Sequence, residues 1–575
     1  MRFVFSSFLL ICFYISSFSQ KNQSIESGKF WLDTDGKRIE AHAGGITLVN
    51  DTYYWYGQDQ SLGNGNEVGI SCYSSKDLTT WKNEGVVFPA SELPEIYRGA
   101  EGRCERPKVI YNAKTRKYVM WSHLEAKNRT MGMAGIATSD TPNGKFKFIG
   151  QIRPVKFDYG YTGNPVLRER ELGNAFRDMN LFLENDTTAY AIYTSEGNAS
   201  MYCVRLNDTF TDAKPGYVMG KDWNRISYKR HREAPAMFKH NNQYVLFTSG
   251  ETGYCPNPTE YSMSNDILNN WQLMGDPCFG PNANTSFFSQ STCVIPAPGK
   301  PVGCYIFTAD RWNCNNELWN STYVWLPFVI RDNKIIRLQF LDKWDLSIFD
   351  KNPKSLATPQ LIKNEKQILT WKPIAEAAFY TIYKNGKNIG STTATQFKIP
   401  TELAGKCYLY TVMAETLYGV KSKPSNGITI KWNIIEKTFL SDIEPEFSKQ
   451  GYRCLTMDKS VDVTPIKIGG QSFAKGLGSH SYGEIIYHIS AKYSRFTASV
   501  GIDDAVFGNT QSSAQFEVWG DGVLLYKSAI KKANDKAEFV SVDIKGVNEL
   551  KLVVSDGGDL PDYDHADWAD AAIIP

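Results

Sequence analysis

Gly45-Ile46-Thr47-Leu48-Val49, then Asn50-Asp51, then Thr52-Tyr53-Tyr54-Trp55-Tyr56: two short runs of alternating, β-favouring residues meet at an Asn-Asp pair. Such runs joined by residues that tolerate positive φ read as a β-hairpin. The unit recurs. Lys108-Val109-Ile110-Tyr111 leads through Asn112-Ala113-Lys114 to Lys117-Tyr118-Val119-Met120-Trp121. Ala236-Met237-Phe238-Lys239 leads through Asn241-Asn242 to Gln243-Tyr244-Val245-Leu246-Phe247. No amphipathic helical pattern interrupts the series between about 28 and 345. Hairpins over that length predict an all-β domain, a β-propeller rather than two separate sandwiches. Its site would lie where the blades meet.

Outward from the hairpins, 575 residues exceed one core, and two to four domains are expected. Asp350-Lys351-Asn352-Pro353-Lys354 reads as a linker. Residues 355–432 form a small sandwich candidate, with strands at Ile368-Leu369-Thr370-Trp371 and Tyr380-Thr381-Ile382-Tyr383 and a turn at Lys384-Asn385-Gly386-Lys387. Residues 436–575 are β-rich again.

The formal net charge of +2 supplies no basic field, which argues against nucleic acid as a partner. The 13% of aromatic residues suits β-rich cores, with a minority left for stacking on sugars. Arg2, the apolar run from Phe3 to Phe18, and Ser17-Phe18-Ser19 before Gln20 read as a cleaved signal peptide over 1–19. The expectation is a secreted or periplasmic protein with no membrane span. Cysteines 72, 104, 203, 255, 278, 293, 304, 314, 407 and 454 lie outside CxxC or His-paired metal spacing. Proximity suggests Cys304 with Cys314 and Cys255 with Cys278. Asn128 and Asn320 stand in glycosylation triplets.

Hydrolysis of a glycosidic bond needs a protonated acid on the leaving oxygen and, where configuration inverts, a group directing water to the other face. Glu105, in Cys104-Glu105-Arg106-Pro107-Lys108, and Glu233, in Arg232-Glu233-Ala234-Pro235-Ala236, each precede an apolar strand beside an Arg. On residue type alone, either is equally well an Arg-paired surface carboxylate.

The motifs taken together resemble glycoside hydrolase family 43, in its exo-β-1,3-galactanase subfamily. The series comprises Ala41-His42-Ala43-Gly44-Gly45, Tyr54-Trp55-Tyr56-Gly57, Arg177-Asp178-Met179, Ser195-Glu196-Gly197-Asn198, Thr248-Ser249-Gly250-Glu251-Thr252-Gly253, Ser289-Gln290-Ser291 and Asp310-Arg311-Trp312. The resemblance implies a five-bladed β-propeller over 28–345. It implies Glu233 as general acid and Glu105 as the neighbouring carboxylate that raises its pKa. Family 43 enzymes commonly carry a base Asp in the first blade. No suitable Asp stands here, Asp51 reading as a turn residue, and Gln290 takes the place of a water-positioning group, by orientation or through a tautomer that accepts the proton. Gln58, Asp178, Asn198 and Thr252 are implied as sugar-binding residues. Gln58 stands where the subfamily commonly has Glu. His42 and His123 are assigned no role.

Residues 355–432 resemble a fibronectin type III module. Residues 436–575 resemble an NPCBM-type carbohydrate-binding module through Gly476-Leu477-Gly478-Ser479-His480, Val500-Gly501-Ile502-Asp503-Asp504 and Asp564-His565-Ala566-Asp567-Trp568. There Asp503, Asp504, Asp567 and Trp568 are candidates for a small sugar site, or else turn residues and core. The implied protein is a monomeric, inverting exo-hydrolase releasing galactose from β-1,3-galactan or arabinogalactan. It requires no cofactor, with room for a structural calcium. The alternatives are an arabinofuranosidase or xylosidase, or a non-catalytic carbohydrate-binding propeller.

Overall fold

A computed structural model describes residues 24–575, apart from 64–67, 100, 127–130, 156–167, 170–172, 217, 314–317, 363–367, 400–406, 432–436 and 559. The expected signal peptide, Asn128 and the Cys304–Cys314 pairing fall outside those residues. Among the described residues there are strands and short 3-10 turns but no α-helix, hence none long and apolar enough to cross a membrane.

Five four-stranded antiparallel sheets follow one another in chain order, and each is a propeller blade. Their innermost strands are His42–Val49, Arg103–Asn112, Met179–Asn185, Glu233–His240 and Gln290–Pro296. The turn residues act as their chemistry predicts. Asn50 and Asp51 both take positive φ (46° and 60°), the pair that a tight hairpin demands. The ring closes between blades 1 and 5. Ile25–Glu26 pairs with Lys343–Trp344, and the Gly28 N–H donates to the Tyr323 carbonyl at 2.7 Å. Trp31, Trp55, Trp81, Tyr323 and Trp325 fill that seam, their rings meeting edge to face or steeply tilted.

The innermost strands share an irregularity that aims the site. The ladder slips between His42 and Gly45, between Glu105 and Lys108, and between Glu233 and Ala236. The second residue of each slip, Ala43, Arg106 or Ala234, sits at φ of 52–53°. A β-bulge of this kind turns the preceding side chain out of the sheet's alternation. It also takes backbone groups out of the ladder, and these must find other partners. Buried charged and polar side chains supply them. Asp310 accepts from the Ala43 N–H (2.6 Å), while Lys108 Nζ donates to the Ala43 carbonyl (2.9 Å). Asp178 accepts from the Ala234 N–H (3.1 Å), while Ser291 Oγ donates to the Ala234 carbonyl (2.6 Å).

Past Leu346–Asp350, two sheets of three and four strands enclose Leu369, Trp371, Ile382, Tyr410 and Val412. Two further six-stranded sheets carry the C-terminal core, including Phe496, Phe516 and Trp568. Trp568 is wholly buried and meets both rings edge-on, so it has no face to offer a sugar. Asp503 accepts from the Lys467 and Ala505 N–H groups, and Asp504 from those of Gly469 and Gly470. Asp567 is likewise buried, its carboxyl pushed well above the usual range by burial and the nearby Asp503. The expected sugar site at these four residues is therefore corrected: they are core and loop-pinning groups. The Cys255–Cys278 pairing is corrected too. Cys255 is bonded to Cys454, 199 residues on, and Cys278 is a free thiol.

Candidate active site

At the end of the propeller axis to which the bulges point lies a cavity of about 360 Å³. Ala43, Gln58, Glu105, Arg106, His123, Asp178, Asn198, Glu233, Glu251, Tyr254, Gln290 and Trp312 are among its lining. The structure thus brings Glu233, Glu105, Gln290, Gln58, Asp178 and Asn198 together. Thr252 is the exception. Its hydroxyl donates to the Cys255 carbonyl and accepts from Asn257 Nδ2, holding its own loop, while Glu251 and Tyr254 on either side face the cavity.

Glu233 is buried at the start of blade 4. Burial, then the charge of Asp178, drive its pKa well above the ordinary carboxyl value. Arg106 opposes the rise, Glu251 adds to it, and the bond from Gln290 opposes it. The carboxylate that chiefly tunes Glu233 is therefore Asp178, which corrects the part expected of Glu105. Glu105 instead meets His123 Nδ1 (3.3 Å) and Arg103 Nε (3.6 Å), and accepts from Tyr254 Oη (3.0 Å). Burial pulls the His123 pKa down, but hydrogen bonds to Glu105 and Glu125 outweigh it and leave it raised.

Arg106, which the sequence reading treated as a neighbour, is the hub. Its Nε meets Asp178 at 2.8 Å, its Nη2 donates to Gln290 Oε1 at 2.5 Å, and its Nη1 donates to the Ser291 carbonyl. Trp312 Nε1 donates to the same Gln290 oxygen at 3.0 Å, and Gln290 Nε2 donates to Glu233 Oε1 at 2.7 Å. Two donors fix which end of the amide is oxygen. They also leave that oxygen no room for a proton, so the tautomer reading of Gln290 does not fit this arrangement.

His42 occupies in blade 1 the place that Glu105 and Glu233 hold before their bulges, yet it lies wholly beneath the cavity. It sits between Asp310 (3.1 Å) and Glu40 (3.4 Å). Burial lowers its pKa, but hydrogen bonds to those carboxylates prevail and raise it to about 9. The imidazolium so formed holds Asp310, and through it the Ala43 bulge.

Among the described residues one group could hold a cation: Glu105, His123 and Asp178 bring ligand atoms within 4.8 Å of one another. Each is engaged already, Glu105 with His123 and Asp178 with Arg106, so their charges balance without an ion.

Fold and site define a five-bladed propeller with a buried, proton-holding carboxyl at its axial cavity. The model of glycosyl hydrolases family 43 matches residues 42–278, and that of the NPCBM/NEW2 domain matches 436–574. A solved family 43 β-1,3-galactosidase, bound to galactodeoxynojirimycin, is 35% identical. It covers 56% of this chain and 100% of its own, with a TM-score of 0.51. An exo-β-1,3-galactanase from Clostridium thermocellum is 27% identical over 72% of this chain and 87% of its own, with a TM-score of 0.51. This chain belongs to glycosyl hydrolase family 43. The alpha-1,3-galactosidase B of Akkermansia muciniphila is 31% identical over 120 residues, and a curated protein of Renibacterium salmoninarum 36% over 113. The match covers only 15% and 7% of their lengths.

Proposed function

We propose that the chain is a secreted glycoside hydrolase that removes terminal galactose from β-1,3-linked galactan with inversion. The observation that carries this reading is Glu233, a carboxyl held protonated by burial and Asp178 at an axial cavity. A pure carbohydrate binder has no use for such a group. The similarity to a solved β-1,3-galactosidase supports galactose as the sugar released.

In the proposed reaction Glu233 gives its proton to the glycosidic oxygen as the bond to the anomeric carbon breaks. Water attacks the opposite face of the oxocarbenium-like centre. Gln290 positions that water through an amide N–H, which requires it to release Glu233 when the sugar enters. Arg106 and Trp312 keep the amide oriented meanwhile. The water's second proton leaves to solvent, and Glu233 regains one from solvent. Glu105, Asp178, Asn198 and Gln58 read the sugar hydroxyls.

Purified protein on β-1,3-galactan should release galactose alone, appearing first as the α-anomer by NMR. Glu233→Gln should lower kcat by about 10²–10⁴-fold, the usual worth of general-acid catalysis. Gln290→Ala should lose about 10²-fold or more through lost positioning. No galactose from galactan, with turnover of an aryl arabinofuranoside or xyloside instead, would overturn the substrate, and the β-anomer would overturn inversion.

A further inference from the structure

The disulfide joins the wall of the catalytic cavity to a different module. In blade 4 a loop at 250–258 connects the strands Gln243–Ser249 and Thr259–Ser264, and its Glu251 and Tyr254 line the cavity. Tyr254 Oη donates to Glu105 Oε1 at 3.0 Å, and its ring meets that of Trp312 edge-on, 5.4 Å away. The contacts of Glu105 with Arg103 and His123 stay within blade 2. The bond from Tyr254 instead crosses the cavity from blade 4.

The loop's inner bonds give it shape without fixing where its tip lies. Thr252 Oγ1 and Asn257 Nδ2 both donate to the Cys255 carbonyl, and Asn257 Nδ2 also donates to Thr252 Oγ1. The end nearest Thr259 is pinned to the propeller. There Ser286 Oγ donates to the Asn257 carbonyl and Arg232 Nη2 to that of Pro258, both at 2.8 Å. At the tip, Glu251 meets His231, whose side chain is more than half exposed, and an ion pair so exposed adds little. The covalent tie is Cys255–Cys454, with 5.7 Å between the Cα atoms. Cys454 stands on firm ground. Before it, Gln450 accepts from Ser479 Oγ (2.7 Å) and from the His480 N–H (2.9 Å). After it, Leu455 packs on the C-terminal core, and Thr456 Oγ1 donates to the Lys459 carbonyl at 2.7 Å.

We propose that the C-terminal module is a working part of the catalytic site. Through the Cys255–Cys454 bond it braces the loop at 250–258, and Tyr254, so held, is a positioning residue that keeps Glu105 aligned towards the sugar. A side chain whose backbone wanders keeps its hydrogen bond for a smaller share of the time, and groups out of line by about 1 Å can lose about 10²-fold in rate. The bond takes that freedom from the residue next to Tyr254. For this the module needs no contact with the substrate, since its separate sandwich core serves as the anchor. This inference rests on the proposed hydrolysis, in which Glu105 reads the sugar.

Hydrogen exchange read by mass spectrometry tests the brace without any substrate. Cys454→Ser should speed exchange at 250–258 about tenfold or more, while the strands Glu233–His240 and Gln290–Pro296 keep their protection. Unchanged exchange in the loop, or faster exchange across those strands as well, overturns the inference. On an aryl β-galactoside, a substrate with a single sugar, Cys454→Ser should lower kcat about tenfold or more with KM nearly unchanged. Tyr254→Phe, which keeps the ring beside Trp312, should do the same, and it carries the test if Cys454→Ser folds poorly. The two substitutions together should lose no more than either alone, because both act through one hydrogen bond. Losses that add, or full activity in either single variant, overturn the inference. An aryl galactoside that the wild type leaves intact counts against the proposed function, and the exchange measurement then decides the brace by itself.

Discussion

Glu233 carries its own pH signature. Its folded pKa is raised, so the folded chain holds a proton there that the unfolded chain releases above the ordinary carboxyl range. Stability contributed by this group therefore falls as pH rises from about 4.5 towards the folded pKa. Glu233→Gln removes the ionisation and should raise Tm at pH 8 relative to wild type while leaving Tm near pH 4 almost unchanged, as calorimetry would read. Activity follows the same proton. The rate should fall at high pH as Glu233 ionises, and with an amide rather than a carboxylate directing water, no base limb should appear on the acid side. A bell-shaped kcat/KM profile would instead assign an ionised base, Glu105 foremost.

At the scale of the strand, the bulges decide where functional side chains point, and the groups that satisfy them are as necessary as the catalytic ones. His42 has its pKa raised to about 9, so its stabilising contribution is complete below about 6.5 and is lost as pH climbs through about 9. His42→Gln should abolish that part of the pH dependence of Tm. It should also lower kcat by loosening Asp310 and the Ala43 bulge, although it touches no substrate. The hairpins were legible because Asn-Asp and Asn-Gly turns announce themselves. The bulges were not, because Arg106 and two alanines are not residues that favour positive φ. The two alanines are held there by Asp310, Lys108, Asp178 and Ser291 from neighbouring blades. Glu233 and Gln290 could be found from motif order. The part played by Asp178 could not, since it depends on a contact between blades 3 and 4, and the partner of Cys255 lay beyond any argument from proximity in sequence.

Across the whole molecule, the three parts are joined unequally. The seam of blades 1 and 5 shares one core with the middle module, whose Phe379 and Leu417 pack with Trp325, Val329 and Phe349. Arg337 also meets Glu415, a carboxylate of the middle module that is wholly buried. The C-terminal module has a separate core and is held by the disulfide and an exposed Lys387–Glu446 pair at 2.6 Å. Elements that share a core melt together, whereas a module with its own core melts by itself. Scanning calorimetry should therefore show two transitions, one for the propeller with the middle module and one for residues 437–575. Arg337→Ala takes from the buried Glu415 its guanidinium partner, leaving Lys421 at 3.5 Å as the cation beside it among the described residues, and should cost about 3 kcal/mol. That loss belongs to the first transition alone. A shift of both transitions would mean that the C-terminal module draws its stability from the same core.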